Sequence, residues 1–130
     1  MVVVDSSVWI DYFNGTESKQ TAMLDDIAGV RHIIVSDIIL TEVLQGFKND
    51  KDFKAARKRM EQCIVVSMLG SLMAIKSAKN YRKLRKKGLT IRSTIDVIIA
   101  TFCIHNNLKL LHSDKDFDVI KKALGLKILG

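Results

Sequence analysis

Four carboxylates in this chain of 130 residues stand at the edges of apolar segments: Asp5, Glu42, Asp96 and Asp114. Asp5 closes Met1-Val2-Val3-Val4, and Asp96 opens Val97-Ile98-Ile99-Ala100. Asp114 follows Leu108-Lys109-Leu110-Leu111 after two residues. Glu42 lies inside the apolar stretch Ile38-Ile39-Leu40-Thr41-Glu42-Val43-Leu44. Ionised carboxylates so close to core-forming segments are costly unless something offsets their charge. A divalent cation does so, and hard cations such as Mg²⁺ take oxygen ligands. The pattern points to a metal-dependent enzyme.

The elements that position these acids follow from hydrophobic periodicity. Short, β-branched apolar runs predict buried parallel strands at 1–4, 33–35, 64–66 and 108–111, with 127–129 as a short edge strand. Helices are expected between them: 6–13 capped by Ser6 or Ser7, 18–28, and a helix capped by Ser36 that carries Glu42 and ends near Gly46. Further helices are expected at 51–62 capped by Asp50, 71–87 stopped by Gly88, 94–105 capped by Ser93 or Thr94, and 114–124. Strands separated by helices require crossover connections, hence an α/β fold with a central parallel sheet of four to five short strands between two helical layers. Ligands bind beyond the carboxyl ends of such strands. Asp5 and Asp114 fall there, Asp96 in the first turn of a helix, and Glu42 wherever its helix crosses that edge.

The length fits one domain, 1–130, with a sizeable core. A hydrophobic content of 48% beside 27% charged residues is that of an ordinary globular protein, and no apolar run approaches a membrane span. No basic segment precedes the first apolar run, so no signal peptide is expected. Cys63 and Cys103, in apolar surroundings, are expected to be buried free thiols, and a cytoplasmic location follows.

The net charge of +7 is unevenly spread. No acidic residue occurs between Glu61 and Asp96, a stretch that carries Lys76, Lys79, Arg82, Lys83, Arg85, Lys86, Lys87 and Arg92. Lys76, Lys79, Lys83 and Lys86 follow helical spacing and share one face. Lys54, Arg57, Lys58 and Arg59 form a second cluster. A single lysine on such a face is most simply solvated. The acid-free block as a whole suits a polyanion, with Lys79, Lys83, Lys86, Lys87 and Arg92 as candidate nucleic-acid contacts. Aromatic residues make up only 6% of the chain, so recognition by base stacking is not indicated.

Four segments in this order, Val3-Val4-Asp5-Ser6-Ser7-Val8-Trp9, Thr41-Glu42-Val43, Asp96-Val97-Ile98-Ile99-Ala100 and Ser113-Asp114-Lys115-Asp116-Phe117, give the whole chain a family likeness. It resembles a PIN-domain ribonuclease, and most of all the VapC-type toxins of prokaryotic toxin–antitoxin pairs. The resemblance implies a PIN-like α/β/α domain. It also implies an acidic pocket of Asp5, Glu42, Asp96 and Asp114 for Mg²⁺ or Mn²⁺, with Asp116, Ser7 and Ser113 close by. RNA as the substrate, a small cognate antitoxin and a homodimer are further implications.

The chemistry can be argued from the residues as well. Phosphodiester cleavage needs an activated water, neutralised phosphate charge and a stabilised leaving oxygen. A Mg²⁺ held by one or two carboxylates keeps waters in its shell and lowers the pKa of one of them. Asp5 and Asp96 are expected to bind the principal ion, and Glu42 and Asp114 to position water or help hold a second ion. Without metal the clustered acids repel, and at least one should have a raised pKa.

Other residues have plainer roles. Trp9, Tyr12 and Phe13 read as packing. His32, His105 and His112 lack zinc-ligand spacing, and Cys103 and His105 point to different faces of one helix. Asp25, Asp26 and Asp118 read as solvated charges, Asp11 as exposed with a place near the pocket as the alternative, and Asp37 as a first-turn residue. Asp116 is balanced between a capping role and direct metal contact. A phosphoacceptor receiver domain would want an acidic pair after strand one, and a haloacid-dehalogenase-like phosphatase would want an aspartate where Ser7 stands. The alternative of a non-catalytic basic module binding RNA or protein explains the charge but not the four acids.

Overall fold

The computed structural model describes residues 1–29 and 32–130. Among them, β1 (Val2–Val4), β2 (Ile33–Ser36), β3 (Ile64–Val66) and β4 (Lys109–Leu111) form one parallel sheet in the order β3-β2-β1-β4. Val3 lies opposite Ile34 on one side and Leu110 on the other. The expected fifth strand is reduced to a single parallel bridge between Leu110 and Ile128.

Seven helices connect and cover these strands: α1 (Ser6–Phe13), α2 (Lys19–Ile27), α3 (Asp37–Leu44), α4 (Asp50–Glu61), α5 (Ser71–Lys86), α6 (Thr94–His105) and α7 (Lys115–Leu124). They form two packed groups, α1 to α4 and α5 to α7, giving an α/β/α sandwich. The valines of β1 are fully buried, as a central parallel strand covered on both faces requires. β3 is an edge strand, and its Ile64 and Val65 are 41% and 45% exposed.

Helix starts differ from expectation at two points. Asp5, not Ser6 or Ser7, caps α1: its carboxylate accepts the Ser7 backbone N–H. Asn49, not Asp50, caps α4 through Asp52 N–H, and Asp50 becomes its first helical residue. Acidic residues are favourable in a first turn, so one position of shift costs little. Ser36 caps α3 as expected, whereas Ser93 occupies the cap position of α6 without a side-chain bond. Asp37 does more than its first-turn position predicts, since its carboxylate also accepts Met68 N–H at 3.0 Å and ties down the loop after β3.

Trp9 is fully buried, stacked on Phe13 at 5.8 Å and edge-on to Tyr12 at 6.1 Å, so these aromatics pack between helices. Both cysteines are free; Cys103 is buried, and its burial pushes the thiol up to about 12. Cys63 is only half-buried, because it lies in the short link between α4 and the edge strand β3. No helix among the described residues is long and apolar enough to cross a membrane.

The strand order decides where a ligand can bind. From β1 the chain steps to β2 and β3 on one side, then returns to place β4 on the other. The switch point is the crevice between β1 and β4 at their carboxyl ends. Asp5 follows β1 directly, and its backbone N–H continues the ladder to Leu111 at 2.9 Å.

Candidate metal centre

Three of the acids meet at this crevice. One carboxylate oxygen each from Asp96, Asp114 and Asp116 lies within 4.8 Å of the others. Asp96 sits in the first turn of α6. Asp114 is the N-cap of α7, and its carboxylate accepts the backbone N–H of Asp116 at 3.0 Å. Both helix N-termini present positive dipole ends, which lower the cost of gathering negative charge. These residues line a cavity of about 520 Å³ with Ser7, Ser93, Ser113 and two cations, Arg92 and Lys115.

Asp5 lies behind this group and is 2% exposed. Its Oδ2 accepts both the backbone N–H of Ser7 at 3.0 Å and the Ser7 hydroxyl at 2.6 Å. The Ser7 oxygen in turn accepts the backbone N–H of Ser113 at 3.2 Å. One hydroxyl thus joins the end of β1 to the loop after β4. Oδ1 of Asp5 is buried and has no hydrogen-bond partner among the described residues. Glu42 is half-buried on α3, and its Oε1 accepts the Ser6 hydroxyl at 3.2 Å. Neither Asp5 nor Glu42 belongs to the 4.8 Å group, but both act on it through their charge.

Burial pushes Asp5 upward against the lowering effect of its Ser7 bonds, and the charge of Asp114 adds to the rise. Glu42 is raised by burial and then by Asp5. Asp96 is pushed up to about 7, first by burial and then by the charges of Asp5, Asp114, Glu42 and Asp116. Its ordinary value is 3.8. Carboxylates that share a site resist full ionisation until a cation or proton arrives.

The donor set fits a hard divalent cation. All the converging groups are oxygens, with excess negative charge and one buried acceptor left unsatisfied, and none is a soft ligand. Ser7→Ala should therefore weaken Mn²⁺ binding by about 10- to 100-fold, because groups that orient ligands carry much of a site's affinity. Thermal shift on Mn²⁺ titration measures this, and an unchanged midpoint of titration would contradict it.

The basic candidates are dispersed. Arg92 lines the acid-walled cavity. Lys79 and Lys83 line a different one, between α5 and α6. Lys86 is exposed, and Lys87 donates to the Ala123 carbonyl oxygen at 3.0 Å. Asp11 is half-buried rather than exposed and lies 3.4 Å from the Ser113 hydroxyl.

Sequence reasoning missed Ser6 as the partner of Glu42, Lys115 in the cavity wall, and His112. His112 is buried against the Phe117 ring at 5.1 Å, and its Nδ1 accepts the Asp114 backbone N–H at 3.1 Å. An accepting Nδ1 carries no proton, so the ring presents Nε2–H, 3.7 Å from Asp118 Oδ1. A histidine two residues before a helix-capping aspartate was the available signal.

The family profile described as PIN domain matches residues 2–123. Ribonuclease VapC11 of Mycobacterium tuberculosis is 28% identical over 131 aligned positions, covering 98% of this chain and 96% of that protein. Among solved structures, VapBC2 from Rickettsia felis bound to a DNA fragment from its promoter superposes with a TM-score of 0.79 at 18% identity, covering 99% of this chain and 98% of that one. A toxin–antitoxin complex from Klebsiella pneumoniae superposes with a TM-score of 0.70 at 18% identity and 90% coverage of each chain.

Proposed function

Since this chain belongs to the PIN domain family, we propose that it is an endoribonuclease that needs a divalent metal, and the toxin of a toxin–antitoxin pair. The observation that carries the reading is the convergence of Asp96, Asp114 and Asp116 at the switch point, in front of the buried Asp5. The name of the mycobacterial relative supports ribonuclease activity, and the solved toxin–antitoxin complex supports a partner protein. By the same likeness we assign a small cognate antitoxin, a homodimer and a cytoplasmic location.

In this reading Asp96, Asp114 and Asp116 hold Mg²⁺ or Mn²⁺, with Asp5 supplying its unpartnered oxygen or its charge from behind. When bound, such an ion lowers the pKa of a water and polarises a phosphoryl oxygen. The remaining work falls to side chains of this chain. Arg92 and Lys115 hold the phosphate group in the cavity that they share with the acids. Ser7 fixes the Asp5 carboxylate and the Ser113 backbone together. Glu42, kept in place by Ser6, positions the attacking water. Hydrolysis forms a P–O bond to the oxygen of that water and breaks the P–O bond to the leaving oxygen; the water gives up a proton and the leaving oxygen takes one.

The test is cleavage of end-labelled structured RNA by the purified chain, freed of any antitoxin, with Mg²⁺ or Mn²⁺ against EDTA. Cutting that needs the metal is expected. Cutting that survives EDTA would overturn the metal-dependent reading. Tight Mn²⁺ binding with no cutting of any RNA would overturn the ribonuclease assignment.

A further inference from the structure

A second cavity, of about 330 Å³, lies between α5 and α6, and its wall includes Lys76, Lys79, Asn80, Lys83, Thr101 and His105. The lysines sit at i, i+3 and i+7 on one helix, so their ammonium groups face the same side. Nothing among the described residues neutralises them. No acidic residue occurs between Glu61 and Asp96, and among the described residues the only Lys or Arg within 4.0 Å of a carboxylate is Arg57, beside Glu61. The polar floor of the cavity is already satisfied: Asn80 donates to the Thr101 hydroxyl at 2.9 Å, which donates to the Val97 carbonyl oxygen at 2.7 Å. The ammonium of Lys76 and Nδ1 of His105 are 2.8 Å apart. Lysine has only donors to give, so the ring nitrogen accepts and the ammonium keeps two further N–H groups. The unmet need of this cavity is for negative charge and hydrogen-bond acceptors.

The helix pair that forms this cavity also carries Asp96, in the first turn of α6. Contacts between Lys76 and His105 and between Asn80 and Thr101 make α5 and α6 antiparallel. Moving down α5 from Lys76 to Lys86, about 15 Å of helix, therefore approaches the end of α6 that carries Asp96. The loop after α5 then delivers Arg92 into the acid-lined cavity. The lysines of α5 thus run toward the end of the helix pair at which Asp96 lies.

We propose that the α5–α6 cavity is a second RNA-binding site, which grips a backbone phosphate of the RNA flank while the bond to be cut lies among the aspartates. This rests on the ribonuclease reading and adds to it a place for the rest of the substrate. No Phe, Tyr or Trp lines the cavity, so the grip is on phosphate and independent of base identity.

The test measures binding of a labelled RNA to the full chain in EDTA across a salt series, with two triple variants of equal charge. K76Q/K79Q/K83Q should weaken binding by about 10-fold or more and lower the slope of log affinity against log salt by about 2, since each lysine–phosphate pair on a single strand carries about 0.7 of that slope. K51Q/K54Q/K58Q, on the exposed face of α4, should change affinity by less than about 3-fold. Lys79→Gln alone, expected to lower the slope by about 0.7, serves if the triple variant does not fold by melting temperature. Equal effects of the two triples would overturn the proposal in favour of unspecific attraction by net charge. A parent that binds and cuts RNA while the α5 variants bind as well as it does would overturn the second site, leave the ribonuclease reading intact and favour an acidic protein segment as occupant. A parent that neither binds nor cuts RNA would overturn both.

Discussion

Asp96→Asn is expected to lower metal-dependent RNA cleavage by about 10³-fold, a loss of about 4 kcal/mol of transition-state stabilisation. The substitution keeps the shape of the side chain and removes one charged oxygen donor from the three-acid group. Asp96 is raised by burial and by the charges of all four other acids, Asp5, Asp114, Glu42 and Asp116. It therefore gains when a cation arrives. Single-turnover cleavage of end-labelled RNA, with Mn²⁺ at saturation for each protein, measures the effect. A variant within 10-fold of the parent would remove Asp96 from the site.

The same substitution should have the opposite effect on the metal-free fold. Asp96 has an ordinary value of 3.8 and is raised to about 7 in the folded protein. The native state therefore holds its proton more tightly than the unfolded chain. Its contribution to stability is complete below about 4 and is lost as pH rises through about 7. Asn does not titrate and escapes this loss. At pH 8 in EDTA, Asp96→Asn should be more stable than the parent by about 2 kcal/mol, roughly half of what the full rise would carry without solvent screening. That corresponds to a melting temperature higher by roughly 5 to 10 °C. The difference should shrink towards pH 4, and saturating Mn²⁺ should reverse it by stabilising the parent. A metal-free variant that melts below the parent at pH 8 would contradict the account.

Much of this architecture was legible in the chain because each signal was local. Val2-Val3-Val4 and Ile33-Ile34-Val35 are short, apolar and β-branched, and such runs separated by helices leave few topologies. The acids were legible because each borders an apolar run, and the strand order then carries Asp5 and Asp114 to one crevice. Caps were less legible. In Asp5-Ser6-Ser7 and in Asn49-Asp50 two neighbouring residues are both good caps, and only the backbone path selects between them. The bonds from Ser6 to Glu42 and from Ser7 to Ser113 were not legible at all, since they join segments 36 and 106 residues apart. His112 was hidden because its function is to accept a backbone N–H, which no side-chain motif announces.

The sheet order also sets a timetable. Synthesis proceeds from the N-terminus, and domains fold as their parts become available. β1, β2 and β3 can pair as soon as residue 66 is made, but β4 docks against β1 only after residue 111, and Asp114 and Asp116 come later still. A growing chain thus carries Asp5 for more than a hundred residues before Asp114 and Asp116 exist. The acidic group is complete only once the segment that carries Asp114 and Asp116 has been made and β4 has docked beside β1.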